Sequence, residues 1–409
     1  MNILFYHYDE TCPTMGGIQR TTALVADGLK KQFGYTCYNI YSYPTRYPMD
    51  IPRYNYEKTI RLPQRFTVED VAAIIQRYHI DVIVNQATLA NNIFYEAAKL
   101  SSHTCKLLYF HHNTPRRLWD LTFSGCIRNF KRVKGLNLKL KGGIKILTFP
   151  LYRTLFKWYT LHKNANDYRR FYNESDRFVL LSERFFNEWC ALTKYHHPTR
   201  LIAIPNASSF AYFADAEVVN NKKKKLLFVG RMSEFPKRVH LAVDIWREIC
   251  KDSQYDDWSF DIVGSGKDLD EFKHRVTKQK IPRITFYGQQ NPENYYRESA
   301  IFLMTSWREG WPMTLNEATQ MGCVPIVFDS FASVRDIIED GKNGYLIPPF
   351  DKQQYVKKLK ELMSNDVLRK SMAMEAVKMS RRFTPDIILE MWRNLFIDLD
   401  KDQDKRYKI

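Results

Sequence analysis

No Cys-x-x-Cys pair, no long apolar run and no complete dinucleotide fingerprint occurs in these 409 residues. The seven cysteines (Cys12, Cys37, Cys105, Cys126, Cys190, Cys250 and Cys323) are odd in number and dispersed. That pattern argues against a disulfide framework and against a thiolate zinc site. A membrane-crossing helix needs about 18 consecutive apolar residues, and the chain has no such stretch. Met1-Asn-Ile-Leu-Phe-Tyr6 runs into Asp9 and Glu10 without a basic flank or a cleavage site, so it reads as a first strand rather than a signal peptide. The expected location is the cytoplasm. Gly264-Ser-Gly266 is followed by Leu269 instead of a third glycine, which sets aside a nicotinamide-dependent oxidoreductase. The acids of the tail, 398–404, lack the glycine and terminal glutamate of a calcium loop and read as a solvated terminus. Neither a low-complexity tract nor a repeat of solenoid period is visible.

What is present is 44% hydrophobic and 14% aromatic, the composition of a globular chain long enough for two α/β domains. In the first half, apolar strands near 2–7, 36–42, 81–85, 106–110, 177–182 and 201–205 alternate with helices such as 67–77. The second half repeats the alternation, with strands near 226, 259, 284, 301, 324 and 345. Such alternation specifies a parallel, doubly wound sheet in each half. The expected organisation is a Rossmann-like domain over 1–205 carrying a basic insertion at 116–170, and a linker over 206–225 whose lysine run Lys222-Lys-Lys-Lys225 reads as solvated. A second Rossmann-like domain over 226–384 and a terminal helical segment over 385–409 complete it.

Ser306-Trp-Arg-Glu-Gly-Trp-Pro-Met-Thr-Leu-Asn-Glu317 places Glu309 and Glu317 seven intervening residues apart across a loop-to-helix junction. The strand at 300–305 leads into that loop, and a helix over 314–321 ends at Gly322. Free N–H groups and the dipole at a helix start favour phosphate, while carboxylates accept hydrogen bonds from sugar hydroxyls. A nucleotide sugar carries both kinds of group. A structural alternative is a capping box, in which Thr314 and Glu317 serve only the helix end. Upstream, Leu226-Leu-Phe-Val-Gly-Arg-Met-Ser-Glu-Phe-Pro-Lys-Arg-Val-His240 supplies a strand, Gly230 and two cations, Arg231 and Lys237, before a helix. In open α/β sheets ligands sit beyond the carboxyl ends of the strands, so the loops bearing Arg231, Gly264, Gly266 and Glu309 should converge on one crevice.

These motifs resemble the donor domain of retaining glycosyltransferases of the GT-B fold, glycosyltransferase family 4. The residues that carry the resemblance are Phe228-Val-Gly-Arg231 with Lys237, Ile262-Val-Gly-Ser-Gly266, Phe286-Tyr-Gly288, 306–318, Gly322-Cys-Val-Pro325 and Asp340-Gly-Lys-Asn-Gly344. In the first half they are Met15-Gly-Gly-Ile-Gln-Arg20 and Phe110-His-His-Asn113. The resemblance implies two Rossmann-like domains facing a central cleft, with the last helix crossing back to the first domain. It also implies transfer of a hexose-type sugar with retention of configuration, from a UDP-sugar in preference to a GDP-sugar, to a glycan or lipid-linked acceptor in cell-surface polysaccharide assembly. The leaving phosphate would itself deprotonate the acceptor. No metal and no cofactor beyond the nucleotide-sugar co-substrate is implied.

Carried onto this chain, the catalytic set is Glu309, His111, Arg231 and Lys237. Arg231 and Lys237 would stabilise the departing diphosphate, aided by N–H groups in the turn Gly310, Trp311, Pro312, Met313 and Thr314. Glu309 would bind donor-sugar hydroxyls and Glu317 the ribose. Gly16 and Gly17 would let the first loop approach the diphosphate without a Cβ, and Gly230, Gly264 and Gly288 complete the donor site. Successive strand residues face opposite ways, so one of His111 and His112 meets the sugar or acceptor and the other is structural; His111 is the reading adopted. Arg231 and Lys237 stand six apart where many relatives have five. Asp268 and Asp270 read as capping charge.

The net charge of +17 is concentrated: from Arg116 to Arg170 there are 14 Lys or Arg against two acids. Within this stretch Ile144, Leu147, Leu151, Leu155 and Trp158 recur at helical spacing, with Lys145, Arg153 and Lys157 elsewhere around the helix and Pro150 starting or kinking it. A basic amphipathic segment of this kind suits an anionic membrane surface, which would hold the protein on the inner face of a membrane. The alternative is a helical hairpin packed on its own domain. No nucleic-acid motif accompanies the charge, so no nucleic-acid partner is expected. Two rival functions share the architecture, a sugar-nucleotide epimerase and a non-catalytic membrane-associated scaffold.

Overall fold

A computed structural model describes residues 1–10, 16–43, 56–87, 91–116, 123–133 and 135–406. Met15 of the glycine loop, Cys12, positions 117–122 and 134 of the basic insertion, and 407–409 lie outside the described residues.

Seven strands form the first sheet: β1 (Asn2–Asp9), β2 (Thr36–Tyr43), β3 (Lys58–Arg61), β4 (Val82–Asn85), β5 (Lys106–Phe110), β6 (Arg177–Leu180) and β7 (Leu201–Ala203). They run in the order β3-β2-β1-β4-β5-β6-β7. Six strands form the second sheet: β8 (Lys223–Val229), β9 (Ser259–Val263), β10 (Ile284–Gly288), β11 (Ser299–Met304), β12 (Val324–Phe328) and β13 (Tyr345–Ile347). Their order is β10-β9-β8-β11-β12-β13. Every pairing is parallel. Continuous apolar strands such as β11, buried at all six positions, are what a sheet covered by helices on both faces requires. Two parallel Rossmann-like sheets, each with its own helical layers, make up the expected fold class. β3 was not legible in the sequence, because Ile60 is its one apolar residue and the exposed Lys58, Thr59 and Arg61 leave no pattern at this sheet edge.

Local chemistry explains the helix boundaries nearest the cleft. The helix Gly17–Phe33 follows β1, carries no acid in its first turn, and ends at Gly34 with φ 68°. The helix Val68–Tyr78 starts at a Thr67/Asp70 capping box. The last helix, Pro385–Arg406, lies against the first domain. Trp392 meets Phe110 edge-on at 5.3 Å, Gln32 Nε2 donates to Asp386 Oδ1 at 2.6 Å, and a Cβ at Gly28 would come within 2.3 Å of Leu389.

Two expectations for the linker are corrected. The stretch 206–225 holds the short helix Ala216–Asn220, and β8 begins at Lys223 rather than at Leu226. Its lysines are solvated only in part: Lys223 and Lys224 are exposed, whereas Lys222 and Lys225 are half-buried. Lys222 Nζ donates to the carbonyls of Tyr296 and Ser299 at 2.8 and 2.9 Å, satisfying the open end of the helix Glu293–Glu298, and burial lowers its pKa. Lys224 pairs with Asp257, and Lys225 with Asp261 and Glu298.

Candidate functional site

The carboxyl ends of the two sheets face each other, and their loops touch. A Cβ built on Gly310 would lie 2.2 Å from the carbonyl oxygen of His112 and 3.0 Å from the Asn113 Cα, so the β11 loop sits directly against the β5 loop. Nearby, Arg308 Nη1 donates to the Arg116 carbonyl at 3.3 Å. Across the same gap Arg184 pairs with Asp336 at 2.8 Å, and Ser182 donates to the same carboxylate.

Two helix starts meet at this seam, one from each domain. Gly17 opens the helix Gly17–Phe33, and a Cβ there would contact the Met313 side chain at 3.7 Å. Met313 opens the helix Met313–Gln320, which also has no acid in its first turn. Two uncompensated N-terminal dipoles thus point into one region, a setting that favours an anion. Gly16 has an extended backbone, φ 170°, so space rather than conformation is what glycine provides there.

On the second domain, Lys237 Nζ lies 2.6 Å from Glu309 Oε1, with both side chains mostly buried. The two motifs, 72 positions apart, therefore face each other as the crevice argument required. Thr305 Oγ1 fixes the β8 loop by donating to the carbonyls of Lys237 and Arg238 at 3.1 Å. Arg231 is exposed and makes no ion pair among the described residues. Beneath it, Gly264 adopts φ 136°, and a Cβ there would lie 1.9 Å from the Gly230 carbonyl, so no other residue fits. Gly264 N–H donates to the carbonyl of Gly288, itself at φ 71°, at 2.7 Å. Asp268 does not cap its own helix; its carboxylate accepts from Glu234 N–H at 2.6 Å and ties down the loop that carries Lys237.

Glu317 is not in a capping box. Pro312 occupies the N-cap, and Glu317 is 1% exposed, with Oε1 bound by Arg20 and Oε2 accepting from Tyr296 O–H at 3.1 Å. Burial, and then the charge of Glu317, push the Tyr296 phenol far above its ordinary pKa. A carboxylate expected to meet ribose is thus held, in this structure, by an arginine from the other domain. Arg20 and Tyr296 escaped the reading of the sequence. Arg20 belongs to the Gly16-Gly-Ile-Gln-Arg20 motif, four residues along a helix from Gly16, which was a signal available; Tyr296 had none.

The histidines are reversed from expectation. His111 is 2% exposed and turned into the first domain, where its Nε2 lies 3.1 Å from Tyr168 O–H and 3.3 Å from the Thr114 carbonyl. His112 instead takes the side of the helix start at Gly17–Phe33: its Nε2 is 3.0 Å from Gln86 Oε1, which also accepts from Thr22 O–H at 2.6 Å. Burial, reinforced by the neighbouring His7 and His111, holds the His112 pKa well below the ordinary imidazole value. Four polar atoms along the seam, Arg20 Nε, His112 Nδ1, Trp311 Nε1 and Thr314 Oγ1, are buried with no hydrogen-bond partner among the described residues. A polar ligand would satisfy such groups, which are costly when left unpaired.

Residues 213–379 match the family model described as glycosyl transferases group 1. Over 181 residues the chain is 29% identical to the amylovoran biosynthesis glycosyltransferase AmsD of Erwinia amylovora, covering 44% of this chain and 50% of AmsD. The chain thus spans about half the length of that curated relative. Among solved structures, the lipopolysaccharide outer core galactosyltransferase WaaB in its apo form superposes with a TM-score of 0.67 at 17% identity, covering 97% of this chain and 99% of WaaB. Anabaena Alr3699/HepE in complex with UDP and glucose gives a TM-score of 0.70 at 14% identity, covering 96% and 98%. The fold is GT-B.

Proposed function

We propose that this protein is a retaining glycosyltransferase of family 4, moving a hexose-type sugar from a UDP-sugar to a glycan or lipid-linked acceptor in cell-surface polysaccharide assembly. The observation that carries the reading is the seam itself: two acid-free helix starts meeting at Gly17 and Met313, beside the Lys237–Glu309 pair. A diphosphate placed there would take its charge compensation from both dipoles, from Lys237 and from Arg231, so this reading calls for no metal. UDP bound to HepE, and the role named for AmsD in amylovoran biosynthesis, support the choice of donor and of process.

In this reaction the bond between the anomeric carbon and the diphosphate oxygen breaks as positive charge builds on the sugar. The acceptor oxygen forms the new bond on the same face, and its proton passes to the departing phosphate. Lys237 and Arg231 stabilise the oxygen that leaves. Glu309, released from Lys237 when the phosphate takes that ammonium, accepts hydrogen bonds from the donor sugar. His112, kept neutral, offers the sugar or acceptor a hydrogen-bonding nitrogen without a competing charge.

The test is a thermal-shift screen of UDP, GDP, dTDP and ADP sugars, followed by turnover with the donor that binds. Binding by UDP-sugars, with turnover reduced about 100-fold or more in Glu309→Gln and Lys237→Ala, is expected. A chain that no nucleotide diphosphate stabilises, or full activity in both variants, would overturn the assignment.

A further inference from the structure

The basic insertion leaves the first domain as three helices, Phe123–Arg132, Leu136–Leu147 and Phe149–Glu174, with Pro150 in the first turn of the last one. The continuous amphipathic helix suggested by the sequence is therefore broken at Thr148, where Pro150 starts a new helix. The apolar side chains do not pack on the domain. Leu140, Ile144 and Leu147 follow an i, i+4, i+7 pattern on the second helix, and Leu151, Leu155 and Trp158 repeat it on the third. All six are exposed, Leu147 by 86% and Trp158 by 65%. Nine of the seventeen exposed large hydrophobic side chains among the described residues fall between Phe123 and Tyr159. Scattered surface leucines need no explanation, but a concentration of this kind marks an interaction surface.

We propose that this helical projection docks on an anionic lipid bilayer. Positions 123–163 carry ten Lys or Arg and no acid. Lys139, Lys141, Lys145, Arg153 and Lys157 are all exposed. A second copy of the chain would bring like charges together, and nucleic acid has no use for exposed leucines; an anionic bilayer meets both the apolar and the cationic side chains. Among the described residues no helix is long and apolar enough to cross a membrane, so the contact is with the surface.

The projection is built to transmit position. Its third helix continues into the domain, where Thr160, Ala165, Tyr168, Phe171 and Tyr172 are buried. Tyr168 touches His111, whose chain neighbour His112 lies against the Gly310 loop. Docking would therefore orient the cleft toward the membrane through one rigid helix. The inference does not depend on the proposed transfer reaction, and its test needs no donor.

The test is flotation of the whole chain with vesicles of phosphatidylcholine containing about one third phosphatidylglycerol, beside vesicles of phosphatidylcholine alone. Flotation with the anionic vesicles, weakened by raised salt, is expected. Neutralising Lys139, Lys141 and Lys145 to Gln should weaken it roughly fivefold per lysine, on the order of 100-fold together. Leu147→Asn with Trp158→Ser should also lower it, while circular dichroism and melting stay nearly unchanged because Leu147 is exposed and Trp158 stacks on the His162 ring at the surface rather than on a core. Absence of flotation, or flotation indifferent to lipid charge and to both variants, would overturn the proposal. So would a dimer in sedimentation that Leu147→Asn dissolves, because the surface would then be a contact between copies.

Discussion

Gly310 is a point where the two domains fit closely, and replacing it with alanine tests the geometry of the cleft. The added Cβ would stand 2.2 Å from the His112 carbonyl oxygen and 2.9 Å from its carbon, both backbone atoms that cannot rotate away. An ordinary contact requires roughly 1 Å more, and overpacking of this kind costs about 1–3 kcal/mol. The contact lies between domains rather than inside one, so the strain is relieved by parting the β5 and β11 loops and not by unfolding either core. Misplacing catalytic groups by about 1 Å lowers turnover on the order of 100-fold. Gly310→Ala should therefore lower kcat/KM by that order with only a small drop in Tm. Gly341→Ala is the control: at φ 76° with nothing within 4 Å of its Cβ, it should lose about 1–2 kcal/mol of stability and keep its activity. Wild-type turnover in Gly310→Ala, or equal loss in both variants, would refute the reasoning.

Three further outcomes follow from the same contacts. His111→Phe removes the buried Nε2 that lies between Tyr168 O–H and the Thr114 carbonyl and should cost about 1–3 kcal/mol in urea unfolding, with KM unchanged; His112→Ala should show the opposite pattern in kinetics and denaturation. His112 and His7 both have pKa values lowered by burial, so the unfolded chain binds protons that the folded chain refuses. Their stability contribution is present in full above the ordinary imidazole pKa of 6.5 and is lost as the pH falls below it toward the folded-state values; the urea midpoint between pH 8 and pH 5 should fall, and less so in His112→Gln. Arg20→Ala strands the buried Glu317 carboxylate on Tyr296 alone and should cost about 2 kcal/mol, less than a fully buried pair because Arg20 is 29% exposed; an unchanged denaturation midpoint would show that water replaces the guanidinium.

Much of this architecture was legible along the chain. Apolar runs such as 300–305, bounded by turn residues and alternating with amphipathic helices, specify parallel strands, and parallel strands gather their following loops at one edge of each sheet. That rule is why Lys237 and Glu309 could be placed together before any coordinate was known. The identity of the cleft-facing histidine was not legible, because it depends on where β5 stops pairing with β6: His111 N–H still donates to the Val179 carbonyl, which turns its ring inward and leaves His112 for the gap. The contact of Arg20 with Glu317 joins residues 297 positions apart, and the fit of Gly310 against His112 joins two domains. No local pattern encodes either, since both depend on how one domain is set against the other. The insertion divides the same way: its charge and apolar spacing are properties of the sequence alone, whereas the exposure of Leu147 and Trp158 was decided by the tertiary structure, which buries only the later part of the third helix, from Thr160 onward, and leaves these side chains uncovered.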